Sequence, residues 1–457
     1  INAGGSIWTS DETLSFEKDK TYLFCLYAGG NARLNVEIDP VWHSTIRLDG
    51  EVRRLEYAFT AKEASSQGTL RLTVTEGQAH IHVVSLLPAD HFHQMRRDVV
   101  ALLKELAPTA LRFPGGCFAD DYNWKDGLLP VDLRPPIDGS GKEFLLENSY
   151  HQDCYEIGTD EFIELCRYTG ARPELTIRMV NAPVQEAVDW VDYCNGNERT
   201  HWGQIRTSRG YDAFGVRDWY IGNEISYWGG ALAEDGDLAA RTTNRYIDAM
   251  RQVDPAIRTT VTTDAQNETW NTPYMSLTAG TADLYSFHHY LTCRFDPSWG
   301  RVSDDMVLDV VDESLLPRLI KTKSLIDALP GQQTPAVSFD EWNYAWGLSG
   351  STHMMVCNAL IFNFLCSCAQ TYGIAKASFF HPINEGMIRV LPTGALLDTT
   401  GQVLRLFAPH REAGALACEI SGGGERPPNC AASRTGEAVY ITLVHRNSAE
   451  PLDIELS

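Results

Sequence analysis

The chain has 457 residues, with 38 Lys and Arg against 60 Asp and Glu, a formal charge of −22 and a pI near 5.0. That length exceeds the roughly 250–300 residues at which one hydrophobic core stops growing, so two or three domains are expected. The acidic balance argues against nucleic-acid or anionic-membrane partners, which need a basic field, and no apolar run approaches the roughly 18 residues of a membrane span.

Residues 1 to 88 lack helical periodicity. Short alternating runs at Thr21–Tyr27, Ala32–Ile38, Ser44–Leu48, Leu70–Val74 and His80–Leu87 are separated by Gly, Asp and Pro, the pattern of a small β-sandwich. From His93 to Leu106 the texture changes. Met95, Val99, Leu102, Leu103 and Leu106 form one helical stripe, closed by Pro108. Strand candidates then follow at 109–113, 173–179, 216–222, 257–262, 283–288, 336–340 and 374–380. Between them lie helix candidates near 159–169, 183–194, 238–252, 305–328 and 352–371. Alternation of this kind predicts parallel βαβ units, and strands ending in Gly and Trp fit the functional face of a (β/α)8 barrel. After about residue 390 the pattern returns to β, ending in Glu437–His445. The expected domains are therefore a sandwich at 1–88, resembling a carbohydrate-binding module, a catalytic barrel at 89–390, and an incomplete C-terminal β-sandwich at 391–457.

Eleven cysteines, at 25, 117, 154, 166, 194, 293, 357, 366, 368, 418 and 430, include no CxxC pair. An odd, scattered set argues against a disulfide framework and points to a reducing, cytoplasmic compartment. The chain opens at Ile1 inside what reads as folded sequence, so its ends are expected to be truncated and a signal peptide stays open.

Two segments carry the chemistry. Trp219-Tyr220-Ile221-Gly222-Asn223-Glu224 and Ala336-Val337-Ser338-Phe339-Asp340-Glu341-Trp342-Asn343 are apolar strands that stop at acids. A glutamate at the carboxyl end of a buried barrel strand is costly unless it is used or paired. Two of them, each beside Trp and Asn, fit an acid/base and nucleophile pair for glycoside hydrolysis. The plain alternative is that both cap helices or form ion pairs. Trp124, Trp228, Trp342 and Trp346 offer flat faces for sugars or, equally, core packing.

Leu111-Arg112-Phe113-Pro114-Gly115-Gly116-Cys117-Phe118, followed by Tyr122-Asn123-Trp124-Lys125-Asp126-Gly127, resembles the family 51 glycoside hydrolases, the α-L-arabinofuranosidases. The Gly-Asn-Glu and Asp-Glu-Trp-Asn segments match the same family in the same order. The resemblance covers about residues 80–410. It implies Glu224 as general acid/base after barrel strand 4 and Glu341 as nucleophile after strand 7. It further implies Asn223 on a sugar hydroxyl, Arg112 keeping Glu341 ionised, His288 and Tyr290 orienting the nucleophile, Cys117 against the furanose ring, and Trp342 at the substrate. An acid that must hold its proton is expected in an apolar or carboxylate-biased setting. The implied substrates are arabinofuranosyl oligosaccharides or polysaccharides, with no cofactor, no metal, no nucleic acid and no membrane, and with a homo-oligomer left open. Numbered this way, 109–113 is barrel strand 2 and 374–380 is strand 8. Strand 1, with the substrate-binding glutamate it carries in the family, has no counterpart. Competing readings are a related retaining hydrolase on another furanoside, a xyloside or a β-glucan, and a non-catalytic carbohydrate-binding protein.

Weaker signals are His80, His82, His91 and His93, read as loop histidines, and His288-His289 as a metal pair, against which the adjacent Tyr290 speaks. Asn267-Glu268-Thr269 is a glycosylation sequon, and Asn384-Glu385-Gly386 is a candidate pocket-lining turn.

Overall fold

A computed structural model describes residues 1–8, 13–136, 155–180, 182–291, 302–331, 334–344, 349–422, 424–447 and 451–455. The first 88 residues form one six-stranded antiparallel sheet: β1 (Ser6–Trp8), β2 (Leu14–Phe16), β3 (Thr21–Asp39), β4 (Trp42–Thr60), β5 (Ser65–Gly77) and β6 (His80–Pro88). The 19-residue β3 pairs along its length with β4, with β6 over its first half and with β5 over its second. Its register shifts between Ala28 and Gly30, where the partner changes. Alternation along β3 sends Phe24, Leu26, Leu34, Val36 and Ile38 into a core separate from that of the rest of the chain.

The seven strand candidates of the middle region all form. They are β7 (Ala110–Phe113), β8 (Arg172–Ile177), β9 (Asp218–Ile221), β10 (Arg258–Val261), β11 (Leu284–Leu291), β12 (Ala336–Tyr344) and β13 (Ile374–Phe379). They pair in parallel in chain order, β7 to β13, as one barrel-like sheet whose two edge strands approach each other. Apolar residues on both faces explain why these strands read as continuous hydrophobic runs. Helices Thr159–Thr169, Val184–Asn195, Gly236–Val253, Leu316–Asp327 and Thr352–Cys368 cover the outside. Seven strands, and no eighth, are found among the described residues.

Some details differ from the sequence pattern. The helix expected from His93 begins at Arg97, because His93 and Gln94 take positive φ (46° and 71°) and cannot continue a helical turn. Helix Glu268–Thr278 carries Pro273 inside it and no strong apolar stripe, so the pattern missed it. Helix Thr399–Phe407 buries Val403 and Phe407 in the barrel's core cluster, so the packed layer continues past residue 390. Beyond it lies a single three-stranded sheet, β16 (Gly414–Leu416), β17 (Asn429–Thr435) and β18 (Ala438–Val444), after a short hairpin of β14 (Ile388–Leu391) and β15 (Gly394–Leu397). No second sheet faces it among the described residues. No helix among them is long and apolar enough to cross a membrane.

Candidate active site

Glu224 follows β9, and the backbone around it is unusual. Gly222 has φ +77°, and Glu224 itself sits in the left-handed region at φ 44°, ψ 42°. For a non-glycine residue that conformation costs on the order of 1–3 kcal/mol, and such strain gathers at functional sites. It turns the carboxylate off the end of β9 instead of letting it continue the strand.

On β12 the device is a β-bulge. Against β11, Ser286 pairs with Ser338 and His288 with Glu341; against β13, Phe339 pairs with Ala377 and Trp342 with Phe379. The bulged strand uses three residues where each neighbour uses two, which re-aims the side chains beyond it. Asp340 and Glu341, adjacent in sequence, therefore both reach the barrel interior: Asp340 accepts from Ser286 Oγ at 2.9 Å, and Glu341 contacts groups from β7 and β11.

The two glutamates are held by different donors. Arg112 Nη1 donates to Glu341 Oε1 at 2.8 Å, and Tyr290 OH donates to Glu341 Oε2 at 2.7 Å. The other Arg112 terminal nitrogen donates to Asn223 Oδ1 at 2.7 Å. Glu224 Oε2 accepts from Trp228 Nε1 at 3.0 Å, and Glu224 Oε1 lies 2.8 Å from His288 Nδ1. His288 Nδ1 is also 3.4 Å from Glu341 Oε2, and its Nε2 is 3.7 Å from Asp340 Oδ1. Cys117 Sγ sits 3.8 Å from Glu224 Oε2 and 3.9 Å from Asn223 Nδ2. Gly116 passes so close to the nucleophile candidate that a Cβ there would meet Glu341 Oε1 at 2.8 Å. All of these groups except Asn223 line a cavity of about 1340 Å³.

The electrostatics run against one expectation. Burial pushes the Glu224 pKa up, but the His288 hydrogen bond and charge, the Trp228 N–H and Arg112 outweigh it, and the net direction is down. Burial pushes His288 down, yet Glu341, Glu224 and Asp340 together raise it to about 9. At neutral pH the proton of this cluster rests on the imidazole, next to Glu224, rather than on Glu224 itself. Ligand atoms of Glu224, His288 and Glu341 lie within 4.8 Å of one another, close enough to suggest a cation. Both carboxylates already accept from protein donors, Glu341 from Arg112 and Tyr290 and Glu224 from Trp228.

The structure thus brings together Arg112, Cys117, Asn223, Glu224, His288, Tyr290 and Glu341. The His288 contact differs from the expectation that it orients the nucleophile: its shortest contact is with Glu224. Trp342 is a correction. It is 1% exposed, packed edge-on against Phe362 and Phe379, because the bulge turns it outward to the helix layer. Although Trp342 borders the cavity, its burial leaves a sugar little of its face to stack on. Trp124 is likewise buried, stacked on Trp190 with the planes 4° apart. Trp228 is exposed at the cavity, and Trp346 lies outside the described residues.

His289 points away from the site, beside Phe287 and Ser314, and burial lowers its pKa to about 3. Asn384 Oδ1 accepts from Val390 N, and the Glu385 carbonyl accepts from Asn343 Nδ2, so that turn braces β14 and β12 and does not line the cavity. Asn267 caps helix Glu268–Thr278 through Trp270 N. The roles of Asp340, and of Trp228 as a donor, were missed in the sequence; two adjacent acids at one strand end were the available signal.

Residues 102–299 match the family described as Alpha-L-arabinofuranosidase 1 domain. The chain is 28% identical over 282 residues, 56% of its own length and 52% of the relative's, to α-L-arabinofuranosidase C of Emericella nidulans. It is 29% identical over 260 residues, 54% of the chain and 49% of the relative, to the intracellular exo-α-(1→5)-L-arabinofuranosidase of Halalkalibacterium halodurans. The chain spans about half the length of these curated relatives. Among solved structures it is similar to the α-L-arabinofuranosidase of Thermotoga maritima in its arabinose complex, with 26% identity, a TM-score of 0.65, and coverage of 77% of this chain and 76% of that one.

Proposed function

We propose that the chain is a family 51 α-L-arabinofuranosidase, as its match to the Alpha-L-arabinofuranosidase 1 domain over residues 102–299 and its likeness to the Thermotoga maritima enzyme support, and that its barrel releases terminal α-L-arabinofuranosyl residues by double displacement, with Glu341 as nucleophile and Glu224 as acid/base. The observation that carries this reading is the proximity of two differently held carboxylates: an oxygen of Glu224 lies within 4.8 Å of an oxygen of Glu341. Retaining pairs stand about 5–5.5 Å apart, and inverting pairs need roughly 6.5–9.5 Å to admit a water between acceptor and base.

Glu341 attacks the anomeric carbon, its carboxylate oriented beforehand by hydrogen bonds from Arg112 and Tyr290. As the glycosidic bond breaks, the proton held by His288 crosses the 2.8 Å contact to Glu224 and passes from it to the leaving oxygen, which leaves His288 neutral and Glu224 ionised. Once Glu341 is esterified its charge is gone, and Glu224 then takes a proton from the incoming water. Asn223, fixed by Arg112, is positioned to bind a hydroxyl of the sugar, and Cys117 lies beside both. Nine described cysteines are free thiols, which supports a reducing compartment for this chemistry.

The test is the stereochemistry of turnover. An aryl α-L-arabinofuranoside followed by proton NMR should give the α-anomer of arabinose first. Initial release of the β-anomer would mean inversion, and turnover of aryl xyloside alone would reassign the substrate.

A further inference from the structure

Tyr220, on β9, is 1% exposed inside the barrel. Two cations lie against its ring: Arg112 Cζ is 4.4 Å from the ring centroid and Lys376 Nζ is 4.3 Å from it. Its hydroxyl donates to Glu174 Oε2 at 2.7 Å, and the same oxygen accepts from Lys376 Nζ at 3.2 Å. Glu174 is itself 1% exposed, so the pair is shielded from water.

The Arg112 side explains why the ring matters. Its two terminal nitrogens are committed, one to Glu341 and one to Asn223, while its buried Nε has no hydrogen-bond partner. Two acceptors on one edge leave the guanidinium free to tilt about the line joining them. The face of Tyr220 is the contact that opposes this tilt. A phenol that donates to a buried carboxylate gains electron density, and an electron-rich face holds a cation more firmly.

We propose that Tyr220 is a positioning residue: its ring, anchored by Glu174 and Lys376, holds the Arg112 guanidinium in the one plane that binds Glu341 and Asn223 together. Tyr220 touches no substrate. It acts through Arg112 on the placement of Glu341 and Asn223. This inference rests on Glu341 being the nucleophile.

The experiment compares Tyr220→Phe and Tyr220→Leu with the wild type in two ways. In the first, kcat and KM for 4-nitrophenyl α-L-arabinofuranoside are measured. Tyr220→Leu should lower kcat by on the order of tenfold or more with KM changed less, as expected when a reacting group is misplaced. Tyr220→Phe keeps the ring, and should lose only a few-fold. In the second, which needs no turnover, the Arg112 Nε–H resonance is followed in protein carrying isotope-labelled arginine and assigned with Arg112→Lys. It should be ring-current shifted in wild type and Tyr220→Phe, and revert to an ordinary arginine position in Tyr220→Leu. An undiminished kcat in Tyr220→Leu, equal losses in both variants, or an identical Arg112 resonance in all three would overturn the proposal. Absence of all glycosidase turnover in the wild type would instead contradict the proposed function, with the resonance still deciding the role of Tyr220.

Discussion

His288 Nδ1 lies 2.8 Å from Glu224 Oε1. Glu341, Glu224 and Asp340 surround the ring and hold its pKa near 9 against the opposing effect of burial. A group whose pKa is raised on folding stabilises the fold fully below its unfolded value, about 6.5. That contribution is lost as pH rises through about 9. Denaturant unfolding should therefore show stability falling between about pH 6.5 and pH 9, by on the order of a few kcal/mol. His288→Gln should flatten the slope in that window. An unchanged slope in the variant would show that the imidazole is neutral in the folded protein.

Gly116 provides a steric probe of Glu341 as the proposed nucleophile. In Gly116→Ala the new methyl would stand 2.8 Å from Glu341 Oε1 and 3.3 Å from the Phe380 ring, so the carboxylate must shift. The expected outcome is a fall in kcat of about 100-fold, since small misplacements of a reacting group are that costly. The melting temperature should drop by only a few degrees. A wild-type kcat would place the reacting carboxylate elsewhere.

Trp124 and Trp228 should separate cleanly. Trp124 is buried among Trp190, Tyr193 and Trp202, so Trp124→Ala should cost about 3–5 kcal/mol of stability and leave KM unchanged in whatever folds. Trp228 lines the cavity and donates to Glu224 at 3.0 Å. Trp228→Phe should leave the melting curve in place, raise the pKa of Glu224 and move the pH–rate profile. Both are read by paired thermal melts and pH–rate measurements.

The barrel strands were legible because each is a short apolar run that stops at Gly or an acid, and the carboxylates lie at two of those stops. Which side chains face the cavity was not legible, because facing is a matter of register. The bulge in β12 exchanges the orientation that simple alternation would give, turning Trp342 out to Phe362 while Asp340 and Glu341 both turn in. The proton's place was hidden for a similar reason. It depends on three carboxylates from β9 and β12 converging on one imidazole of β11, and no segment of sequence holds more than two of those groups. The helix at Glu268–Thr278 was masked by Pro273 within it and by the lack of a strong apolar stripe.

The roles of the two glutamates are tested most directly by azide rescue of Glu341→Ala and Glu224→Ala on an activated aryl α-L-arabinofuranoside. Without its nucleophile, Glu341→Ala should lose turnover whatever the leaving group. Azide should restore it as a glycosyl azide of inverted configuration. Glu224→Ala should keep glycosylation of the activated substrate, because a leaving group of low pKa needs little protonation, and azide should give the retained product. The reverse assignment of products would exchange the two roles, and undiminished activity in both variants would contradict the account.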